Sequence, residues 1–187
     1  MNKIVLRNGL IAGGIFAAEM ALMVPLMRRG LDFKNGYILG YTSMLLAFLL
    51  VFFGIRSYRE NIGGGYISFG RALSVGMLIM LISSACYVAA WEVVYFKFMH
   101  EQMHDFIEKY GIHEVEKVRN SGASEQEIQA KLQQMKWMRD HYDNVFFNAA
   151  LTFLEPLPPG LILTLISAAI LRKKRRTGSD LAAQPAT

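Results

Sequence analysis

The run ALSVGMLIMLISSACYVAAWEVVYF, residues 72–96, is twenty-five residues long and carries Glu92 as its only charge. A bilayer hydrocarbon core of about 30 Å is crossed by about 20 helical residues, so this stretch is long enough to span it. Backbone groups in lipid must find their partners within the segment, and a helix supplies them. Three further stretches read the same way. Between Arg7 and Arg28 lie twenty residues with Glu19 as the only charge. Asn35 to Ile55 gives twenty-one with none, and Asn144 to Leu171 gives twenty-eight with only Glu155. The sequence therefore predicts an all-α fold: an integral membrane bundle of four transmembrane helices, with spans at about 5–27, 36–55, 71–97 and 145–171.

Composition agrees. Apolar residues make up 53% of the 187, which is high for a soluble domain and usual where lipid is the solvent. The length suits one domain, read as a four-span unit over 1–176 with a small, polar tail at 177–187 expected to be a disordered cytoplasmic segment. The first apolar stretch is longer than a secretory h-region, contains Glu19 and is not followed by an Ala-x-Ala site, so it is read as a retained span. Cys86 is the single cysteine, which leaves no partner for an internal disulfide and suggests a small packing residue.

The basic residues set an orientation, because Lys and Arg are retained on the cytoplasmic side. One face would hold Lys3, Arg7, Arg56, Arg59, Arg71 and Arg172-Lys173-Lys174-Arg175-Arg176 against only Glu60 and Asp180, a sum of ten minus two, or +8. The other face has ten bases and ten acids and sums to zero. The expectation is a multi-pass protein of the cell inner membrane with N- and C-termini cytoplasmic. The net charge of +5 is then a topology signal, and no nucleic-acid partner is implied. The terminal basic run reads as a stop-transfer anchor that can also gather anionic lipid.

Between spans, Gly63-Gly64-Gly65 lacks the Lys and Ser or Thr of a phosphate-binding loop and reads as a flexible turn. Tyr87, Trp91 and Tyr95 suit an interfacial aromatic belt. Beyond them Met99, Met103, Phe106 and Tyr110 repeat at helical spacing, so the third helix should continue outward. Ser124 and Glu127 form a capping-box pattern, followed by the stripe Ile128, Leu132, Met135 and Met138. Residues 98–143 thus read as an extracytoplasmic helical hairpin between helices 3 and 4 whose two stripes pack on each other. Trp137 and His141 are surface and packing residues of its second helix. In the last span, Pro156, Pro158 and Pro159 remove amide donors and leave the carbonyls of Thr152, Leu154 and Glu155 without helical partners. That span must be broken or kinked.

Several of these motifs together resemble a known family. They are Gly9-Leu10-Ile11-Ala12-Gly13, Gly54-Ile55-Arg56-Ser57-Tyr58-Arg59, Ile67-Ser68-Phe69-Gly70-Arg71-Ala72-Leu73, and the proline-broken final span with its basic end. The sequence resembles the small bacterial membrane proteins catalogued as domain of unknown function 4199, over most of its length and least distinctively in the hairpin. The resemblance implies four helical spans and no established activity, so no functional residue is carried across.

Two constellations bear chemistry. Glu19, Glu92 and Glu155 lie on three spans at similar depths, and could meet in one intramembrane polar site of the kind that serves proton relays and ion pathways. Taken singly, Glu155 would cap the inner half of the broken span. Glu92 would reach the interface near Lys97, and Glu19 would be protonated or bonded to a neighbouring helix. The other constellation is His100-Glu101-Gln102-Met103-His104, an H-E-x-x-H string. On a helix its two histidines share a face suited to a metal, with Glu101 as general base and Glu125 or His113 as third ligand. A solvated helix face is the plainer reading of the string. Three functions are weighed. The leading one is a non-enzymatic scaffold or accessory protein, without cofactor, that binds the lipid bilayer and another membrane component. That component would be a membrane-protein partner or a second copy in a homodimer. The second is a small proton- or ion-coupled transport unit built on the glutamates. The third is a zinc metallopeptidase.

Overall fold

The computed structural model describes residues 2–28 and 33–173. The predicted tail at 177–187 and basic residues Lys174, Arg175 and Arg176 lie outside the described residues. Helices α1 (Asn2–Arg28), α2 (Phe33–Asn61) and α3 (Phe69–Val94) come first. A π-helical turn at Tyr95–Met99 joins α3 to α4 (His100–Asn120), and α5 (Glu125–His141), α6 (Val145–Leu154) and α7 (Leu157–Leu171) follow. Four helical stretches are long and apolar enough to cross a membrane: Lys3–Leu26, Ile38–Asn61, Phe69–Asn120 and Val145–Leu171. The all-α fold with four such helices is therefore as the apolar runs predicted.

Helix α3 is the centre of the packing, touching α1, α2, α6 and α7. Its buried row of Ala72, Val75, Gly76, Ile79, Met80, Ser83 and Ser84 is mostly small or flexible, which lets several helices approach at once. Around it Phe16 of α1 meets the Phe48 ring of α2 edge-on at 5.6 Å and the Tyr87 ring of α3 at 5.4 Å. Gly9 and Gly13, one α-helical turn apart on α1, face Ile82 and Cys86 of α3 so closely that any added Cβ would collide. This is the small-xxx-small arrangement by which helices in lipid gain dispersion contacts that larger residues would prevent. Outward-facing Leu22, Leu46 and Ile170 are each more than 60% exposed. Such surfaces are a liability in water and ordinary against lipid.

At one end of the molecule the chain is tied by backbone bonds. Ile67 and Lys173 form an antiparallel bridge, with N···O distances of 3.0 and 2.9 Å, and Arg59 Nη1 donates to the Leu171 carbonyl at 3.3 Å. The Arg59 cation thereby meets a carbonyl at the negative end of the α7 dipole. Gly63-Gly64-Gly65 forms the turn expected of it. Ile62 and Gly63 both donate to the Tyr58 carbonyl, and Gly65 donates to that of Arg59. Gly64 and Gly65 take φ of 58° and 86°, values that L side chains rarely adopt.

At the other end, α3, the π-turn and α4 run on as one helical stretch of 52 residues, about 78 Å at 1.5 Å per residue. Helix α5 folds back along α4, starting from the predicted capping box. The Ser124 amide donates to Glu127 Oε2 at 2.8 Å, and the Glu127 amide donates to Ser124 Oγ at 3.4 Å. Those bonds to Ser124 hold the exposed Glu127 carboxyl below its ordinary range. The stripe on α5 is spent on α4: Ile128 is buried, Leu132 and Met135 are half-buried, and Gly111 opens space for Met135. The last span is broken as the prolines required. Helix α6 is ten residues, about 15 Å, and α7 is fifteen, about 22 Å, so neither half crosses a bilayer alone.

Candidate functional site

Tyr87, Trp91 and Tyr95 recur every four residues and so form one row along α3. Their polar ends, expected at an interface, all have protein partners. Each donates a hydrogen bond to the antiparallel segment that enters the last span. Tyr95 Oη donates to Asp143 Oδ1 at 2.6 Å, Trp91 Nε1 to Asn148 Oδ1 at 2.9 Å, and Tyr87 Oη to Glu155 Oε2 at 2.7 Å. The three bonds fasten α6 to α3 over eight residues, about 12 Å of helix. Trp91 and Tyr95 stack with centroids 6.1 Å apart, and Tyr95 has no exposed surface.

The middle bond belongs to a buried hub. Asn148 is fully buried on α6, where its Oδ1 also accepts from Thr152 Oγ1 at 3.2 Å and its Nδ2 donates to the Tyr142 carbonyl at 3.2 Å. A buried amide in an apolar helix is costly unless its donor and acceptor are used, and here both are. No motif marks Asn148 in the sequence; the available signal is an asparagine four residues before a threonine in an otherwise apolar half-helix.

Of the three membrane glutamates, Glu155 sits at the junction of α6 and α7 and holds Tyr87, and it does not cap α7. The N-cap position of α7 is Pro156, which makes no side-chain cap bond. Glu19 lies against Gly40 and Ser43 of α2. Both carboxylate oxygens of Glu92 are buried and make no hydrogen bond, so it is tied to neither Glu19 nor Glu155.

At the outermost position of the row the structure gathers His100, His104 and Asp143, whose ligand-type atoms all lie within 4.8 Å of one another. His100 Nε2 stands 2.9 Å from Asp143 Oδ1, and His104 Nε2 stands 2.9 and 3.0 Å from Oδ1 and Oδ2. The π-turn is what aligns them. In an unbroken α-helix residues 99 and 103 would continue the row of 87, 91 and 95. The extra residue held in the turn rotates α4 by about 100°, and His100 and His104 take those places. Burial works to raise the Asp143 carboxyl. The hydrogen bonds from Tyr95 and His104, the His104 charge and the His100 bond outweigh it and hold the group below its ordinary range.

The sequence pair His100 and His104 is therefore brought together, but its suggested third members are not. His113 lies nine residues beyond His104 on α4, about 14 Å along the axis, near Glu116, Lys117 and Ser121. Glu125 is in the first turn of α5, where it accepts from Gln129 Nε2 at 3.1 Å. The third group is Asp143, from the short link between α5 and α6, a position no spacing motif marks. Trp137 and His141 stack at 4.3 Å on the outside of α5, with His141 Nδ1 at 2.8 Å from the Trp137 carbonyl.

Residues 7–173 match the sequence model of a family described as "Protein of unknown function (DUF4199)". No curated protein and no solved structure matches the chain.

Proposed function

We propose, from the premise that the chain belongs to the DUF4199 family of proteins of unknown function, that it is a non-enzymatic accessory protein of a bacterial inner membrane. Its helical hairpin would bind another membrane component on the extracytoplasmic side. One observation carries this reading: α4 extends the third span about 32 Å as a single rod, and α5 braces it. Such a rod costs backbone order that a mere loop would not, and it holds a surface at a fixed distance from the lipid. The cytoplasmic placement of both termini rests on the excess of basic residues at that end.

The contact surface is not the stripe Ile128, Leu132 and Met135, since α4 already uses it. It is the exposed apolar surface of the hairpin outside that seam, to which Ile112 on α4 and Trp137 on α5 contribute. Ile112→Glu combined with Trp137→Glu should abolish co-purification of the partner, whether a second protein or a second copy. The membrane body should stay monodisperse in detergent. A doubly substituted protein that keeps every partner of the wild type would overturn the reading.

A second reading, a small proton- or ion-coupled transport unit, is favoured by the Glu155 carboxylate at the break of the last span, where it accepts from Tyr87 Oη at 2.7 Å. It predicts that Glu155→Gln lowers flux in proteoliposomes by at least about tenfold, the scale on which a proton-transfer group contributes, with thermal stability little changed. Wild-type flux from that variant removes Glu155 from any transport step.

A further inference from the structure

We infer that His100, His104 and Asp143 form a divalent transition-metal site of the zinc class, with Tyr95 orienting the carboxylate from behind. The inference is independent of the accessory role proposed above. Two imidazoles at i and i+4 on one helix and a carboxylate from a separate segment are a recognised ligand set for such ions. The ligand atoms stand 2.9 to 3.0 Å apart across the His–Asp pairs. Two ligands each about 2.0 Å from a tetrahedral ion are about 3.3 Å apart, so each His–Asp pair is within a few tenths of an ångström of that spacing, and the two imidazole nitrogens, within 4.8 Å of each other, take it up by side-chain rotation.

The hydrogen-bond count also points to a cation. Asp143 Oδ1 is approached by Tyr95 Oη, His100 Nε2 and His104 Nε2 together, at 2.6, 2.9 and 2.9 Å. Three donors crowd an oxygen that offers about two lone pairs. An ion among the three groups relieves that crowding. Each neutral imidazole keeps its proton on Nδ1 and turns the Nε2 lone pair to the metal, and Asp143 supplies the negative charge. Tyr95 Oη remains on the carboxylate, the outer bond that commonly fixes a metal-binding carboxylate in place.

The ligand side chains are between a third and a half exposed, so water can reach the site and fill a fourth position. The ion would tie the first turn of α4 to the entry of α6 across the π-turn, and so set the angle at which the hairpin leaves the membrane. Among the described residues the only β pairing is the Ile67–Lys173 bridge at the opposite end of the molecule. A strand edge on which to extend a peptide is therefore not part of this site, and the site is assigned a structural role.

The test uses tag-free, full-length protein in lipid nanodiscs, titrated with zinc by calorimetry and with cobalt(II) by visible absorption. The wild type is expected to bind one ion per chain, with the intense cobalt bands of a four-coordinate site. His100→Ala and His104→Ala should each weaken binding by on the order of 100-fold or more, while Glu101→Gln keeps wild-type affinity. Hydrogen exchange at 95–99 and 143–148 should slow when zinc is added. The assignment fails if wild-type protein shows no saturable ion, a result that needs no variant to fold. It fails equally if the doubly substituted His100→Ala, His104→Ala protein binds as tightly as the wild type.

Discussion

Gly13→Leu should strip α1 from the rest of the protein and lower the melting temperature in detergent by roughly 10 °C, whereas Gly14→Leu beside it should leave the melt within about 2 °C. A Cβ at Gly13 would meet Cys86 Sγ at 2.7 Å, and leucine adds three more carbons to a gap already closed. Retreat of α3 is resisted by α2 and α7, which also pack on it. Overpacking of this kind costs about 3 kcal/mol at the upper end of its usual range. At Gly14 an added Cβ meets nothing within 4 Å, so the same side chain there faces lipid. Equal melts for the two variants would show that the close approach of α1 and α3 contributes nothing to stability.

Asn148→Ala should be almost as damaging, by about 3 kcal/mol. It leaves Trp91 Nε1, Thr152 Oγ1 and the Tyr142 carbonyl without the partners they have in the wild type. Each unsatisfied buried group costs about 1 to 3 kcal/mol in water-soluble proteins, and single hydrogen bonds in lipid average nearer 0.6. The estimate lies between those limits for three groups. A double-mutant cycle with Trp91→Phe separates the hydrogen bond from the packing. The tryptophan change should cost about 1 kcal/mol less when Asn148 is already alanine. If Asn148→Ala melts with the wild type, α6 is held to α3 by apolar contact alone and the row of donors is incidental.

The spans were legible because lipid imposes a crude demand, about 20 uncharged residues in a row, that composition alone reveals. The break at Pro156, Pro158 and Pro159 was legible for an equally local reason, the missing amides. What escaped was everything that depends on how faces line up. Gly9 and Gly13 were noted as part of a family pattern but not as a packing surface, although their spacing of four was visible. Ring chemistry alone suggests an interface for Tyr87, Trp91 and Tyr95, since nothing in their own segment reveals three acceptors 48 to 68 residues away. His100 and His104 were seen as a pair. Their alignment with Tyr95 depends on one extra residue in the helix at Tyr95–Met99, which hydrophobic periodicity does not register. Asp143 could not be singled out, because it comes from a three-residue link where an acid is unremarkable.

The division of the last span has a consequence for how the protein is made. By the time residues 143–155 leave the ribosome, α3 has already been synthesised, with the whole hairpin separating the two. Helix α6 is too short to settle in lipid by itself, and it carries an amide and adjoins an acid that lipid would reject. The donors Tyr87, Trp91 and Tyr95 are then already in the membrane, so the late half-helix meets its partners as it enters. Biosynthesis thus follows the direction of the chain, and a permuted gene that delivered α6 before α3 would present the insertion machinery with a segment that has nowhere to go.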